Sequence, residues 1–203
     1  CVYKICLGWK LVRILKFFNL LFAKWYMEII RVNRINEKEV LDGIRKGKIF
    51  IYPTDTIYGL GCDAENKESV EKIRQIKQRD REKPLSIIAP SMKWIEENLI
   101  IDTDLNKYLP GKYTIILKKK NLNFLNHVSS TDSIGIRIPD NKFTKIIQNF
   151  GKPFITTSVN LSGESAIESI EEIPKKIKDK IDIIINAGRL TGRPSTLIIN
   201  GKE

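Results

Sequence analysis

Seven short, isoleucine-rich runs recur along this chain and constrain its fold more than any other feature. They fall at 48–52, 85–89, 113–118, 133–138, 153–158, 181–186 and 195–200, and most are bounded by Gly, Pro, Asn or Asp. Apolar runs of this length with such boundaries read as buried strands, whereas helices need ten or more residues. Helical spacing fills much of the space between them. Asn36 opens a capping box with Glu39, Val40, Leu41 and Ile44 follow, and Gly47 ends that helix. Val70, Ile73 and Ile76 mark a second helix over 67–77, and others are expected at 92–99, 142–149 and 170–179. The segment PTDTIYGLGCDA (53–64) reads as a loop in which Gly59 and Gly61 permit tight backbone geometry. Strands and helices intermix, and some strands are adjacent in sequence. The pattern predicts one α+β or α/β domain with a mixed sheet. A chain of 203 residues is long enough to bury such a core without metals or disulfides.

Residues 1–26 differ from the rest. They are apolar and basic, carry Lys4, Lys10, Arg13, Lys16 and Lys24, and contain no acid. The longest near-apolar stretch, Phe17 to Ala23, is too short to span a bilayer, and no small-residue cleavage pattern follows it. A basic amphipathic membrane helix is the alternative use for such a stretch. The expectation is an extra segment outside the core, with Met27 the natural start and 27–203 a single domain. Without those five bases, 30 of the 35 basic residues remain against 24 acids, so the net charge falls from +11 to +6. That suits phosphate-bearing ligands or a lysine-rich solvated surface equally. Three cysteines (Cys1, Cys6, Cys62) make no disulfide framework, which suits a reducing cytoplasm.

The common catalytic signatures are missing. Gly-Lys occurs four times but Ser or Thr never follows, so there is no Walker loop. GLGCDA (59–64) matches the dinucleotide pattern only formally, because the preceding strand ends too early and a basic stretch follows where an acid is needed. His127 is the single histidine, which excludes histidine metal clusters and suits a surface residue.

What the sequence offers instead is fixed cations and hydroxyls. In an extended segment, period two would place Lys77, Arg79, Arg81 and Lys83 on one side with Asp80 opposite, a row able to bind a triphosphate. The same alternation in TTSVN puts Thr156, Ser158 and Asn160 on one face at a strand's C-terminal edge, where α/β sheets place ligands. Arg137 lies in the apolar strand SIGIRIP and needs a partner there, either a ligand carboxylate or a structural salt bridge.

Six segments occur in one order: YPTDTIYGLGCDA (52–64), IKQRDREKPL (76–85), PGKYT (110–114), SIGIRIP (133–139), TTSVNLSG (156–163) and PSTLII (194–199). Together they closely resemble the YrdC/Sua5 family of threonylcarbamoyl-AMP synthases, in its short single-domain form. The resemblance covers about residues 30–200. It implies a three-layer α+β fold, YrdC/RibB-like, with a twisted mixed β-sheet around a basic cavity. The implied reaction carboxylates the amine of L-threonine with bicarbonate. The carbamate then attacks the α-phosphate of ATP and pyrophosphate leaves. Mg2+ would accompany ATP with no protein ligand, and a separate transferase would pass the group to the adenosine beside the tRNA anticodon.

Position by position, the family's K-x-R motif falls on Lys77 and Arg79, and its S-x-N motif on Ser158 and Asn160; these four are the implied catalytic residues. Arg79, Lys83, Ser133 and Ser158 match ATP contacts. Thr56, Arg137, Thr156 and Ser195 match the threonine pocket. Two departures stand out: many members have a histidine where this chain has Ile88, and many continue to an arginine-containing tail beyond the last strand. The rival from another class is a non-catalytic RNA-binding module using the same basic concavity. A second enzymatic rival, carbamoyl transfer as in hydrogenase-maturation proteins, belongs to larger chains with zinc-finger cysteines.

Overall fold

The computed structural model describes residues 27–161 and 163–202, so the expectation for residues 1–26 lies outside the described residues. Ten strands form one sheet: β1 (Glu28–Arg31), β2 (Phe50–Pro53), β3 (Tyr58–Gly61), β4 (Ser86–Ile88), β5 (Leu99–Ile100), β6 (Tyr113–Lys119), β7 (Ser133–Arg137), β8 (Phe154–Ser158), β9 (Ile183–Asn186) and β10 (Thr196–Ile199). Their order is β1-β9-β2-β3-β8-β4-β7-β6-β10, with β5 also pairing with β6. The sheet is mixed. β1/β9, β2/β9, β4/β7 and β6/β10 are parallel, and the central run β2/β3/β8/β4 is antiparallel throughout.

Period-two alternation sends successive side chains to opposite faces, and both faces are covered. Phe50, Tyr52, Ile88, Phe154, Ile183 and Ile185 pack beneath two helices, α1 (Glu37–Arg45) and α4 (Lys142–Phe150), through Val40, Ile44, Phe143 and Ile147. Their neighbours Ile51, Ile87, Ile155 and Ile184 face the other way. They meet Val70, Ile73 and Ile76 of α2 (Lys67–Lys77), Ile95 of α3 (Met92–Asn98) and Ile177 of α5 (Lys175–Lys178). This is the expected three-layer α+β fold. Side chains cap four of the helices: Asn36, Asn66, Ser91 and Asn141 accept from the amides of Lys38, Ser69, Trp94 and Thr144. The box expected between Asn36 and Glu39 is therefore a simpler cap on Lys38.

Four elements differ from the sequence expectation. The stretch expected as a loop over 53–64 contains β3, whose glycines disguise it. Gly59 lies against the Tyr52 ring, and a Cβ on Gly61 would stand 2.0 Å from the Ile155 carbonyl oxygen and 2.5 Å from the Phe154 ring. Glycine there permits a close backbone approach, one of its defined uses inside strands. β1 and β5, of four and two residues, carry too little pattern to read. The helix expected over 170–179 is split at Pro174 into a 3-10 turn (Ile170–Glu172) and α5. Proline lacks the amide needed to continue the turn.

Gly61→Ala should therefore force β3 away from β8. We expect a loss of about 1–3 kcal/mol in urea denaturation, because the Cβ would meet the Ile155 carbonyl and the Phe154 ring. An unchanged urea midpoint in Gly61→Ala would show that close approach at β3 is not the constraint.

Candidate functional site

Where the C-terminal half of β8 emerges between β3 and β4, the apolar alternation gives way to hydroxyls. The sheet opens there into a cavity of about 250 Å3. Thr156, Thr157 and Ser158 of β8 form one wall, Ser86 of β4, Arg137 of β7 and Thr114 of β6 another, and Arg79 with Pro84 and Leu85 a third. Pro194 and Ser195, just before β10, close the remaining side. Register explains the convergence: Ser158 pairs with Gly59 and Thr156 with Ser86, so β8 delivers hydroxyls between two strands at once.

Segments some eighty residues apart thus bring Arg79 and Ser158 into one concavity, but not through the extended cationic row expected from the sequence. Lys77 is still in α2. Gln78 ends the helix in the left-handed conformation at φ 50°, and the Arg79 amide donates back to the Arg74 carbonyl at 3.0 Å. The helical pattern of α2 prevails over the period-two pattern as far as Lys77, so the row is not formed. Its four members go to four different places. Arg79 lines the cavity and donates to the Lys83 and Pro84 carbonyls. Arg81 pairs with Glu71 at 3.2 Å, beside a wider depression of about 800 Å3 on the outer side of α2. Lys83 is exposed and 3.9 Å from Asp80.

Lys77 is only 2% exposed. Its ammonium donates to the Ser158 carbonyl at 2.6 Å, the Asn160 carbonyl at 3.0 Å and Asn160 Oδ1 at 2.9 Å. Ser158 Oγ donates to the same Oδ1. Lys77 and Asn160 therefore lie behind the wall and tie down the end of β8. Burial pushes the Lys77 ammonium down to about 8, with the Arg79 charge adding to the shift. Burial also lowers the Arg79 guanidinium from its ordinary value.

On the opposite wall, Arg137 has a partner in the chain. Its Nη2 donates to Asp55 Oδ1, and both side chains are under a tenth exposed. Asp55 Oδ2 also accepts from the Asp140 amide at 3.2 Å. Thr56 sits behind Arg137 and accepts from Nη1 and Nη2 at 3.5 and 3.4 Å, while sharing a 2.9 Å hydrogen bond with Thr54. Of the two partners left open by the sequence, the structural salt bridge is present. It does not exhaust the group, because Arg137 Nε is buried with no hydrogen-bond partner. Burial lowers the Arg137 guanidinium from its ordinary value and the Asp55 charge opposes that shift.

Ser195 Oγ lies 2.7 Å from Thr114 Oγ1, which fixes the closing segment to β6. A Cβ on Gly192 would overlap the Thr56 carbonyl, so that segment also lies hard against the 54–56 turn. Ser133, at the start of β7, is near Thr131 at 3.4 Å and is not part of the wall. Ile88 is fully buried beneath α1 and α4 with Phe143 and Phe154, away from the cavity. Sequence reasoning missed Asp55, Thr54 and Thr114. A signal existed for Thr114, the one hydroxyl inside the apolar run of β6, but none marked Asp55 as the partner of Arg137.

Comparison with known proteins identifies the family. The family model Sua5_yciO_yrdC, described as "Telomere recombination", matches residues 42–202. The chain is 38% identical over 183 residues to a Methanocaldococcus jannaschii protein named provisionally as a threonylcarbamoyl-AMP synthase, covering 84% of this chain and 86% of that one. It is 33% identical over 168 residues to the threonylcarbamoyl-AMP synthase of Vibrio campbellii, covering 78% and 89%. The crystal structure of P. abyssi Sua5 complexed with L-threonine superposes with a TM-score of 0.73 at 26% identity, covering 86% of this chain but 54% of the longer Sua5 chain. By sequence match and by fold, this chain belongs to the Sua5/YciO/YrdC family.

Proposed function

We propose that this protein is a threonylcarbamoyl-AMP synthase that makes L-threonylcarbamoyladenylate and pyrophosphate from L-threonine, bicarbonate and ATP. The observation that carries the proposal is one cavity lined together by Arg79, Arg137, Thr156 and Ser158. The relatives' names support it, as does the threonine complex of P. abyssi Sua5. The product would serve a separate transferase that modifies the adenosine beside a tRNA anticodon. The setting is cytoplasmic in this proposal; no helix among the described residues is long and apolar enough to cross a membrane.

The chemistry follows from the two walls. Arg137, which lines the cavity, would take the threonine carboxylate, with Thr156 and Ser195 in the same lining. Arg79 would contact the phosphates from across the cavity, with the Ser158 hydroxyl, oriented by Asn160, beside it and Lys83 at the outer margin. Bicarbonate converts the threonine amine to a carbamate with loss of water. A carbamate oxygen then forms a bond to the α-phosphorus while the bond to the pyrophosphate oxygen breaks. The groups present position the reactants and stabilise the charge that develops on the phosphoryl oxygens. Lys77 acts through Ser158 and Asn160, keeping the β8 wall in place with its charge behind the reacting phosphate. The walls offer guanidinium groups and hydroxyls, and their nearby carboxylate, Asp55, is committed to Arg137. No protein ligand is therefore assigned to Mg2+, which would enter on the nucleotide phosphates and neutralise part of their charge.

The test is pyrophosphate release by the purified protein from ATP, bicarbonate and threonine. Release should depend on threonine and fall at least about a hundredfold in Arg79→Ala, with the fold unchanged by circular dichroism. A protein that binds RNA but releases no threonine-dependent pyrophosphate would sink the proposal.

Arg137→Lys retains a charge for Asp55 but loses the planar fork. We expect the threonine requirement to rise roughly ten- to a hundredfold, with the ATP requirement little changed. An equal rise for both substrates would mark Arg137 as structural only.

Lys77 gives a pH signature. Its folded-state pKa of about 8 lies below the unfolded lysine value of 10.5. Between those values the unfolded chain binds more protons at this position, so its contribution to stability rises with pH. Wild type should gain on Lys77→Met in thermal stability from pH 8 to 10, by at most about 1.4 kcal/mol per pH unit. A constant difference across that window would mean that burial does not perturb Lys77.

A further inference from the structure

The loop that carries Arg79 into the cavity wall has little core of its own. Asp80, Arg81, Glu82, Lys83 and Pro84 are all exposed, and such loops ordinarily belong to the least stable parts of a domain. One buried side chain supplies a frame for it. Arg74, near the end of α2, is 4% exposed. Its guanidinium lies between two loops. Nη1 donates to the Asp80 and Lys83 carbonyls, both at 3.0 Å. Nη2 donates to the His127 carbonyl at 3.2 Å and the Val128 carbonyl at 2.9 Å.

These contacts reach Arg79 directly. The Lys83 carbonyl held by Arg74 also accepts from Arg79 Nε at 3.4 Å, and the next carbonyl, of Pro84, accepts from Arg79 Nη2 at 2.8 Å. The chain then returns to the sheet where the Leu85 amide donates to the Val128 carbonyl, itself an acceptor of Arg74. Arg74 therefore touches the carbonyls that orient Arg79 and the loop against which they rest. It does not reach the cavity wall formed by β8 or β7.

We infer that Arg74 is a positioning residue for Arg79: it fixes the Lys83–Pro84 backbone against which Arg79 leans, and thereby sets where Arg79 presents its charge. The inference rests on the nucleotide reading of the site. Lysine cannot replace the group, because its three donors radiate from one nitrogen and cannot serve two loops on opposite sides of a planar fork.

Two measurements test it on the full chain. In hydrogen exchange, Arg74→Lys should lose protection at the Lys83 and Leu85 amides while the amides of β2, β3 and β9 keep theirs. In calorimetric titration with Mg-ATP, Arg74→Lys should bind roughly tenfold more weakly, with threonine affinity unchanged. Combined with Arg79→Ala, Arg74→Lys should cost no further ATP affinity, because a residue that acts through Arg79 has nothing left to position. Unchanged ATP affinity in Arg74→Lys, or a full additional loss in the Arg79→Ala background, would overturn the inference. If the unmodified protein binds no Mg-ATP, the nucleotide reading falls while exchange still decides the positioning role. Selective loss at Lys83 and Leu85 would then uphold it, and unaltered protection would refute it.

Discussion

Strand β8 is hydrogen-bonded along both edges, to β3 through Thr157 and Ser158 and to β4 through Phe154, Ile155 and Thr156. Its two ends need opposite environments. Phe154 and Ile155 are fully buried on opposite faces, one under α1 and α4 and the other toward α2. Two residues later the same strand must present hydroxyls to solvent-accessible space. A paired backbone makes both possible, because the ladder satisfies the main chain whatever the side chains do. The pairing has steric conditions as well. β3 fits beside Ile155 only because Gly61 has no side chain, and the chain beyond β3 stays in step through the Ile155 amide on the Cys62 carbonyl at 2.8 Å. At the open end, where β8 loses its neighbours, Lys77 takes over with three hydrogen bonds to Ser158 and Asn160. The hydroxyl wall is thus the end of a core strand, held as firmly as the core.

How much of this was legible follows from which forces leave a mark on sequence. The seven isoleucine-rich runs all became strands; most are buried on both faces, which demands a continuous apolar run, while the edge strand β10 leaves Leu197 and Ile199 exposed. The helix at about 67–77 was legible because Val70, Ile73 and Ile76 keep one face apolar; its Asn66 cap was not read from the sequence. β3 was hidden because close approach replaced its expected side chains with glycine. The cationic row failed for a related reason. Lys77, Arg79, Arg81 and Lys83 fit a period of two, but so short a charged stretch carries no burial signal to enforce it, and the end of α2 decided the geometry. The sequence marked Arg79 and Ser158 as partners only through the order of family motifs. Nothing in it indicated Arg74 as the frame of a loop or Asp55 as the neighbour of Arg137, because long-range pairs of charge or of side chain and carbonyl have no periodicity.

The buried cations meet the cost of burial in two different ways, and the difference assigns the two ends of the cavity. Arg137 faces a carboxylate, so its charge is largely cancelled by Asp55. Lys77 and Arg74 face only carbonyl dipoles, which stabilise a charge without neutralising it. Arg79 stands in the wall beside them, and among the described residues none of these three cations forms a salt bridge. The fall of the Lys77 pKa to about 8 has burial as its first cause and the neighbouring Arg79 charge as its second. A triphosphate suits the end with uncancelled charge. An amino acid carries both signs, and the Arg137–Asp55 pair offers both. Its carboxylate can approach Arg137 without leaving the protein with a buried charge when the ligand departs, since Asp55 remains. Under the proposed function the site would discriminate its substrates by the sign and completeness of local charge compensation, and the hydroxyls of Thr156, Ser158 and Ser195 would set orientation.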